Sequence, residues 1–226
     1  MTRPGIGLRG WRGVPTLAIG GEVSVEMQNA VTEFYDTHAD AFIAQTRDVD
    51  MTALRQRFLD SLPRRSDAAG RLLDAGCGAG RDARAFATAG YDVSAFDASP
   101  AMAAATEDHA GVPVRRMTFE GFAWEHPFEG IWACASLLHV AEEDLPDVLS
   151  RLALHLVPDG VLYMSFKVGT GTRTKDGRRF TDMTEARLGA FLDGCPGLTG
   201  RELWRTADRR PDRAGEEWLN ALVRRA

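Results

Sequence analysis

The sequence predicts an α/β fold: a doubly wound, mostly parallel sheet of seven strands, helices on both faces, and an antiparallel last strand. Three observations point there. An apolar run ends in a glycine turn, RLLDAGCGAGR at residues 71–81. Short apolar strands then alternate with helical segments as far as residue 166, which implies parallel pairing through right-handed crossovers. Two further runs, 199–206 and 218–223, flank the polar stretch 207–217 and read as an antiparallel hairpin at a sheet edge.

Composition sets the frame. The 226 residues suit one domain, and the hydrophobic fraction of 44% provides for a real core. A formal net charge of −5 gives no reason to expect nucleic acid or a membrane surface as partner. No apolar run approaches the roughly 18–20 residues of a membrane span. Cys77, Cys134 and Cys195 are isolated and lack CxxC spacing. That argues against a zinc site or a disulfide framework and fits the cytoplasm.

In chain order, residues 1–24 are rich in Gly, Arg and Pro, without periodicity or a continuous apolar stretch. They read as a loosely ordered tail, with Met27 a clean start for the compact part; residues 25–226 then form a single domain. Val31, Phe34, Tyr35, Ala39, Phe42 and Ile43 recur at helical spacing with a break. Leu54, Phe58, Leu59 and Leu62 mark a second helix that Pro63 ends. Residues 64–70 are a polar linker. Residues 71–75 form the first strand, and the helix at 81–89 is closed by Gly90. The second strand, 91–96, carries Asp97 at its tip. Ser99 caps the next helix, to about residue 109, with Pro100 at its first position. Strands follow at 112–117 and 129–135. The helix at 142–156 buries Leu145, Val148, Leu149, Leu152 and Leu156, and Pro158-Asp159-Gly160 turns into a strand at 161–166. Residues 167–179 read as a Gly- and Arg-rich loop, and 184–192 as a helix capped by Thr184.

A strand that ends in glycines and feeds a helix is a nucleotide-binding device: the backbone can approach a ligand, and the helix N-terminus is partly positive. The spacing Gly76-x-Gly78-x-Gly80 puts Arg81 where a dinucleotide loop would have its third glycine, and no GK[ST] follows. Asp74 precedes the turn, where a carboxylate can face a cation. Asp97 is placed to accept two ribose hydroxyls. A ligand with an ammonium, a ribose and no phosphate satisfies all three conditions, and S-adenosylmethionine is such a ligand.

The stretch LLDAGCGAGRDARAFATAGYDVSAFDAS resembles the cofactor-binding half of class I S-adenosylmethionine-dependent methyltransferases. Its flavour is that of the small bacterial branch with the tellurite-resistance methyltransferases. IWACASLLHV, LVPDGVLYMSFKVG, DGRRFTDMT and EEWLNALVRR look like one subfamily of small-molecule methyltransferases. The resemblance implies a Rossmann-like sheet, with residues 25–63 as a lid over the cofactor cleft. It implies that Gly76, Gly78 and Gly80 line the methionine moiety, with Arg81 beside them. Asp74 orients the ammonium, and Asp97 takes the ribose. Ala98 and Met102 lie against the adenine, and Phe119 and Glu120 reach its edge. Ala135 and Ser136 lie under the sulfonium. Tyr35, expected among the cofactor-binding residues, sits in FYDTHADAF, where relatives carry a second tyrosine at the position of Phe42, so a hydroxyl contact from there is lost.

The acceptor side is less marked. His139 follows the fourth strand and reads as a pocket wall or general base; Ser136 shares the catalytic position. Lys167, Arg173, Lys175, Arg178 and Arg179 make a basic stretch beside the reaction mouth, which Arg210 and Arg213 could join. A basic lid would recruit an anionic acceptor. The acceptor is therefore expected to be small, anionic or a soft nucleophile, and the protein a monomer or homodimer. Cys77 and Cys134 read as small buried thiols. The rival readings are an RNA or protein methyltransferase and a non-catalytic cofactor-binding protein.

Overall fold

The computed structural model describes residues 22–63, 69–210 and 213–226. Residues 1–21 of the expected tail and most of the linker at 64–70 fall outside them, while residues 22–24 already belong to a helix. Five parallel strands come first: β1 (Arg71–Ala75), β2 (Asp92–Asp97), β3 (Val114–Arg116), β4 (Phe128–Ala133) and β5 (Leu156–Lys167). A hairpin of β6 (Gly171–Lys175) and β7 (Arg178–Asp182) follows, then β8 (Leu198–Ala207) and β9 (Glu217–Arg225). The main sheet runs β3-β2-β1-β4-β5-β9-β8, with β9 antiparallel to β5 and to β8. The seven-stranded sheet with its antiparallel end is thus as the sequence predicts. Both neighbours of β1 are parallel to it, so the tips of β1, β2 and β4 converge on one edge.

Alternation along the strands makes two cores. Leu73, Ile131 and Leu162 point to the face covered by α6 (Leu145–Leu154) and α7 (Glu185–Asp193). Leu72, Trp132 and Tyr163 point to the other face, toward α3 (Thr52–Ser61) and α4 (Arg81–Thr88). There Trp132 stacks on Tyr163 with centroids 3.8 Å apart, and Phe58 and Phe86 pack at 5.2 and 5.6 Å from its ring. The remaining helices are α1 (Glu22–Thr37), α2 (Ala39–Thr46) and α5 (Pro100–Ala110). The Ser99 cap is present: its Oγ accepts the Met102 N–H at 3.1 Å. Thr184 caps α7 in the same way. Among the described residues, no helix is long and apolar enough to cross a membrane.

The structure corrects three expectations. Residues 167–179 are not an open loop: most of them belong to the β6–β7 hairpin. Its turn is Asp176-Gly177, with φ of 51° and 73° at the two residues, the left-handed pair that a two-residue hairpin needs. The helix expected at 142–156 begins as a 3-10 turn, Glu142–Asp144, and becomes α6 only where Pro146 supplies a preset first turn. The strand expected at 161–166 starts at Leu156, which pairs with Phe128, and the ladder then shifts register.

One buried carboxylate ties the second core together. Asp82 accepts from Arg81, from Arg55 of α3 at 2.9 Å, and from the Trp132 indole N–H at 3.0 Å. Replacing Asp82 by alanine leaves two guanidinium groups and a buried N–H without their acceptor. It should lower unfolding free energy by about 3–5 kcal/mol in a denaturant titration; a loss near zero would show that the cluster does not hold α3 in place.

Candidate functional site

The glycine turn is built by close approach. Gly76 and Cys77 both donate to the Phe96 carbonyl, at 2.8 and 3.0 Å, which pins the turn to β2. Gly76 has φ of 74°, and a Cβ there would lie 2.5 Å from the Ser136 Cβ. Gly80 has φ of 76°, and its Cβ would meet the Thr106 backbone at 2.9 Å. Any side chain at either position is both strained and blocked.

Two carboxylates flank the turn. Asp97 accepts from the Gly78 N–H and the Ser99 N–H, each at 2.9 Å. Burial pushes its carboxyl up to about 6 despite the backbone N–H groups of Ser99, Gly78 and Ala98. Asp74 is 3% exposed, and its Oδ2 has no hydrogen-bond partner. Burial drives its carboxyl well above the usual range; the nearby Asp82 adds to this and Arg81 opposes it. An unpartnered buried carboxylate oxygen wants a cationic donor.

Both line a cavity of about 820 Å³. Gly76, Gly78, Arg81, Ala98, Met102, Phe119, Ala135 and Ser136 share its wall, as do Tyr35, His139, Lys167, Arg173 and Arg178. Gly80 and Glu120 are not among the lining residues. The expected residues thus converge on one chamber, but several spend their polar atoms elsewhere. Arg81 is bound to Asp82 and to the Thr46 carbonyl. Ser136 Oγ donates to the Ala75 carbonyl at 2.7 Å, so its proton is committed. Lys167 lies between Asp208, at 2.8 Å, and Glu216, and under the Trp218 ring. Arg173 pairs with Asp182 at 2.5 Å and Arg178 with Asp176 at 3.3 Å. Arg210 and Arg213 pair with Asp208 and Glu216. Three cations of the stretch that reads as a basic lid, Lys167, Arg173 and Arg178, are therefore paired by the protein's own carboxylates. Cys77 and Cys134 are free thiols; burial pushes Cys77 well up and Cys134 to about 12, so both stay protonated.

Tyr35 also carries a contact that the sequence does not suggest. Its hydroxyl lies 2.9 Å from His139 Nε2, and His139 Nδ1 lies 2.7 Å from the Arg179 carbonyl. Burial lowers the imidazole to about 4, with the Arg178 charge adding to the effect, so it is neutral.

Three residues outside the expected set shape the site. Phe42 packs over the turn, its ring 3.4 Å from where a Gly78 Cβ would stand. Asp36 of α1 accepts from Ser99 Oγ at 2.5 Å and the Ala101 N–H at 3.1 Å, clamping α1 onto the start of α5. Asn220, fully buried, joins Tyr163 to Trp204 and Thr206. A lone amide inside LNALV was its available signal. Gly76→Ala should cost about 1–3 kcal/mol of stability by thermal melting; an unchanged melting temperature would mean that the turn can open without loss.

Residues 72–160 match the family model for a methyltransferase domain. The fold is similar to that of Burkholderia thailandensis 1,6-didemethyltoxoflavin-N1-methyltransferase, solved with 1,6-didemethyltoxoflavin and S-adenosylhomocysteine. The TM-score is 0.71 at 21% identity, covering 95% of this chain and 93% of that one. It is also similar to the CcbJ methyltransferase of Streptomyces caelestis, with TM-score 0.65 and 20% identity over 86% of this chain and 98% of that one. A 95-residue segment is 30% identical to hemagglutinin 1 of Eikenella corrodens, covering 40% of this chain and only 32% of that protein. The matched segment, residues 72–160, spans β1 to the start of β5, and the chain shares the Rossmann-like fold of these S-adenosylmethionine-dependent methyltransferases.

Proposed function

We propose that this chain transfers a methyl group from S-adenosylmethionine to a small acceptor held in the cavity beside His139. One observation carries the donor assignment: Asp74 Oδ2, buried and unpartnered, across a phosphate-free glycine turn from Asp97. An ammonium fits the first carboxylate, and a ribose diol fits the second. Ala98, Met102 and Phe119 would flank the adenine, and Ala135 and Ser136 the sulfur. When bound, the donor supplies a methyl group on a sulfonium, which is its own activated leaving group.

The chain's residues bind, align and exclude water, an effect worth about 7–11 kcal/mol in well-oriented systems. The helices within residues 25–63 act as a lid in this reading: Phe42 covers the turn, and Asp36 latches α1 to α5. The concave cavity of about 820 Å³ and the net charge of −5 favour a small molecule over RNA or protein. The pairing of Lys167, Arg173 and Arg178 weakens the argument for an anionic acceptor and favours a neutral one. Three free thiols favour a reducing compartment such as the cytoplasm.

Calorimetry with S-adenosylmethionine tests the donor. Asp97→Ala should weaken binding at least tenfold; unchanged affinity would remove the ribose assignment. Only the ionised carboxylate accepts both hydroxyls, and Asp97 gains its proton near pH 6. Wild-type affinity should therefore fall as the pH drops through about 6, and Asp97→Asn should lose that step. A step retained in the variant would place the titrating group elsewhere.

A further inference from the structure

We propose that Tyr35 is the catalytic group that meets the acceptor, with His139 behind it, and that the acceptor is an uncharged flat ring bearing an acidic O–H or N–H. The inference rests on the donor assignment above and goes beyond it to the substrate class.

The direction of each hydrogen bond follows from chemistry. The Arg179 carbonyl can only accept, so His139 Nδ1 carries the hydrogen. A neutral imidazole then has a bare Nε2, and the Tyr35 hydroxyl must donate to it. The base is thus already covered, and an acceptor entering the cavity reaches Nε2 only through the Tyr35 oxygen. That oxygen retains acceptor capacity: Arg178 Nη1 approaches it only at 3.5 Å. Tyr35, on α1, and Arg179, on β7, grip the imidazole from opposite sides, so its tautomer is set by the wall that closes the cavity.

Charge and shape select the acceptor. Lys167, Arg173 and Arg178 are each paired with a carboxylate, and Lys175 and Arg209 are exposed, where water screens them. An anionic acceptor would compete with the carboxylates of these pairs, whereas a neutral one would not. Rings frame the dyad: Phe42 lies 5.0 Å from Tyr35, and Phe180 lies 5.0 Å from His139, centroid to centroid. Flat aromatic surface suits such walls. A buried imidazole is also a weak base, which accepts protons readily only from acidic donors such as a phenol, an enol or a ring N–H.

The step balances. The acceptor's O–H or N–H bond breaks, and its proton goes to the Tyr35 oxygen as the tyrosyl proton goes to Nε2. The acceptor's electron pair takes the methyl group, and the C–S bonding pair stays on sulfur. The imidazolium then returns its proton through Tyr35 to water.

The test uses the full chain with two probes, 7-hydroxycoumarin and its methyl ether, and S-adenosylhomocysteine in place of the donor. With S-adenosylhomocysteine bound, the phenol should bind at least tenfold more tightly than the ether by fluorescence titration. With the donor present, the phenol should be methylated. Tyr35→Phe, which removes one oxygen, should abolish that discrimination and lower kcat about a hundredfold, while S-adenosylhomocysteine affinity stays within twofold by calorimetry. Equal or absent binding of the two probes, or a Tyr35→Phe variant with full kcat, overturns the proposal. So does turnover of thiols or selenite with none of the phenol. Failure of S-adenosylhomocysteine itself to bind would overturn the donor assignment instead.

Discussion

The site depends on a single acceptor atom, the Phe96 carbonyl oxygen. It receives the N–H groups of Gly76 and Cys77 and so forces the chain to turn sharply at the end of β1. The turn brings the Gly78 N–H onto Asp97 and presses Gly76 against Ser136 of the next strand tip. Three strand ends are thereby locked within contact distance of one another. Parallel pairing of β1 with β2 and β4 is what makes this possible, because it delivers all three tips to the same edge. Glycine is required at the turn because the space that a side chain would need is already occupied.

Beneath that edge, charge is managed by pairing. Asp82 neutralises Arg81 and Arg55, while Asp74 a short distance away is left without a partner for one oxygen. The contrast is informative. Asp82 and Asp208 find guanidinium groups or lysine within the fold, whereas Asp74 Oδ2 faces the cavity with an unmet demand. The same rule applied to the cations gives the opposite result. Lys167, Arg173 and Arg178 look like a recruiting surface in one dimension, yet each is tied to an acid brought in by the hairpin or by the β8–β9 connection.

Much of the fold was legible because it follows from local rules. The glycine turn, the Ser99-Pro100 cap, the apolar run of Leu72 and Leu73, and the edge hairpin each have a short-range signature. The Asp176-Gly177 turn also had one, in KDGRR, but the surrounding polar residues masked it as loop. The cofactor side was legible for the same reason: its residues cluster at strand tips. The acceptor side was not, because its logic is tertiary. Tyr35 and His139 are 104 residues apart, and nothing in either neighbourhood announces their hydrogen bond. The ion pair of Arg173 within the basic stretch depends on a hairpin that returns Asp182 to it.

The central claim is that Asp74 and Asp97 form an ammonium-and-ribose site. A crystal structure of the chain with S-adenosylhomocysteine addresses it most directly. The account requires the ligand's ammonium within about 2.7–3.2 Å of Asp74 Oδ2, directly or across one water, and both ribose hydroxyls on Asp97. An ammonium turned away from Asp74, or a ribose held by other groups, would contradict it.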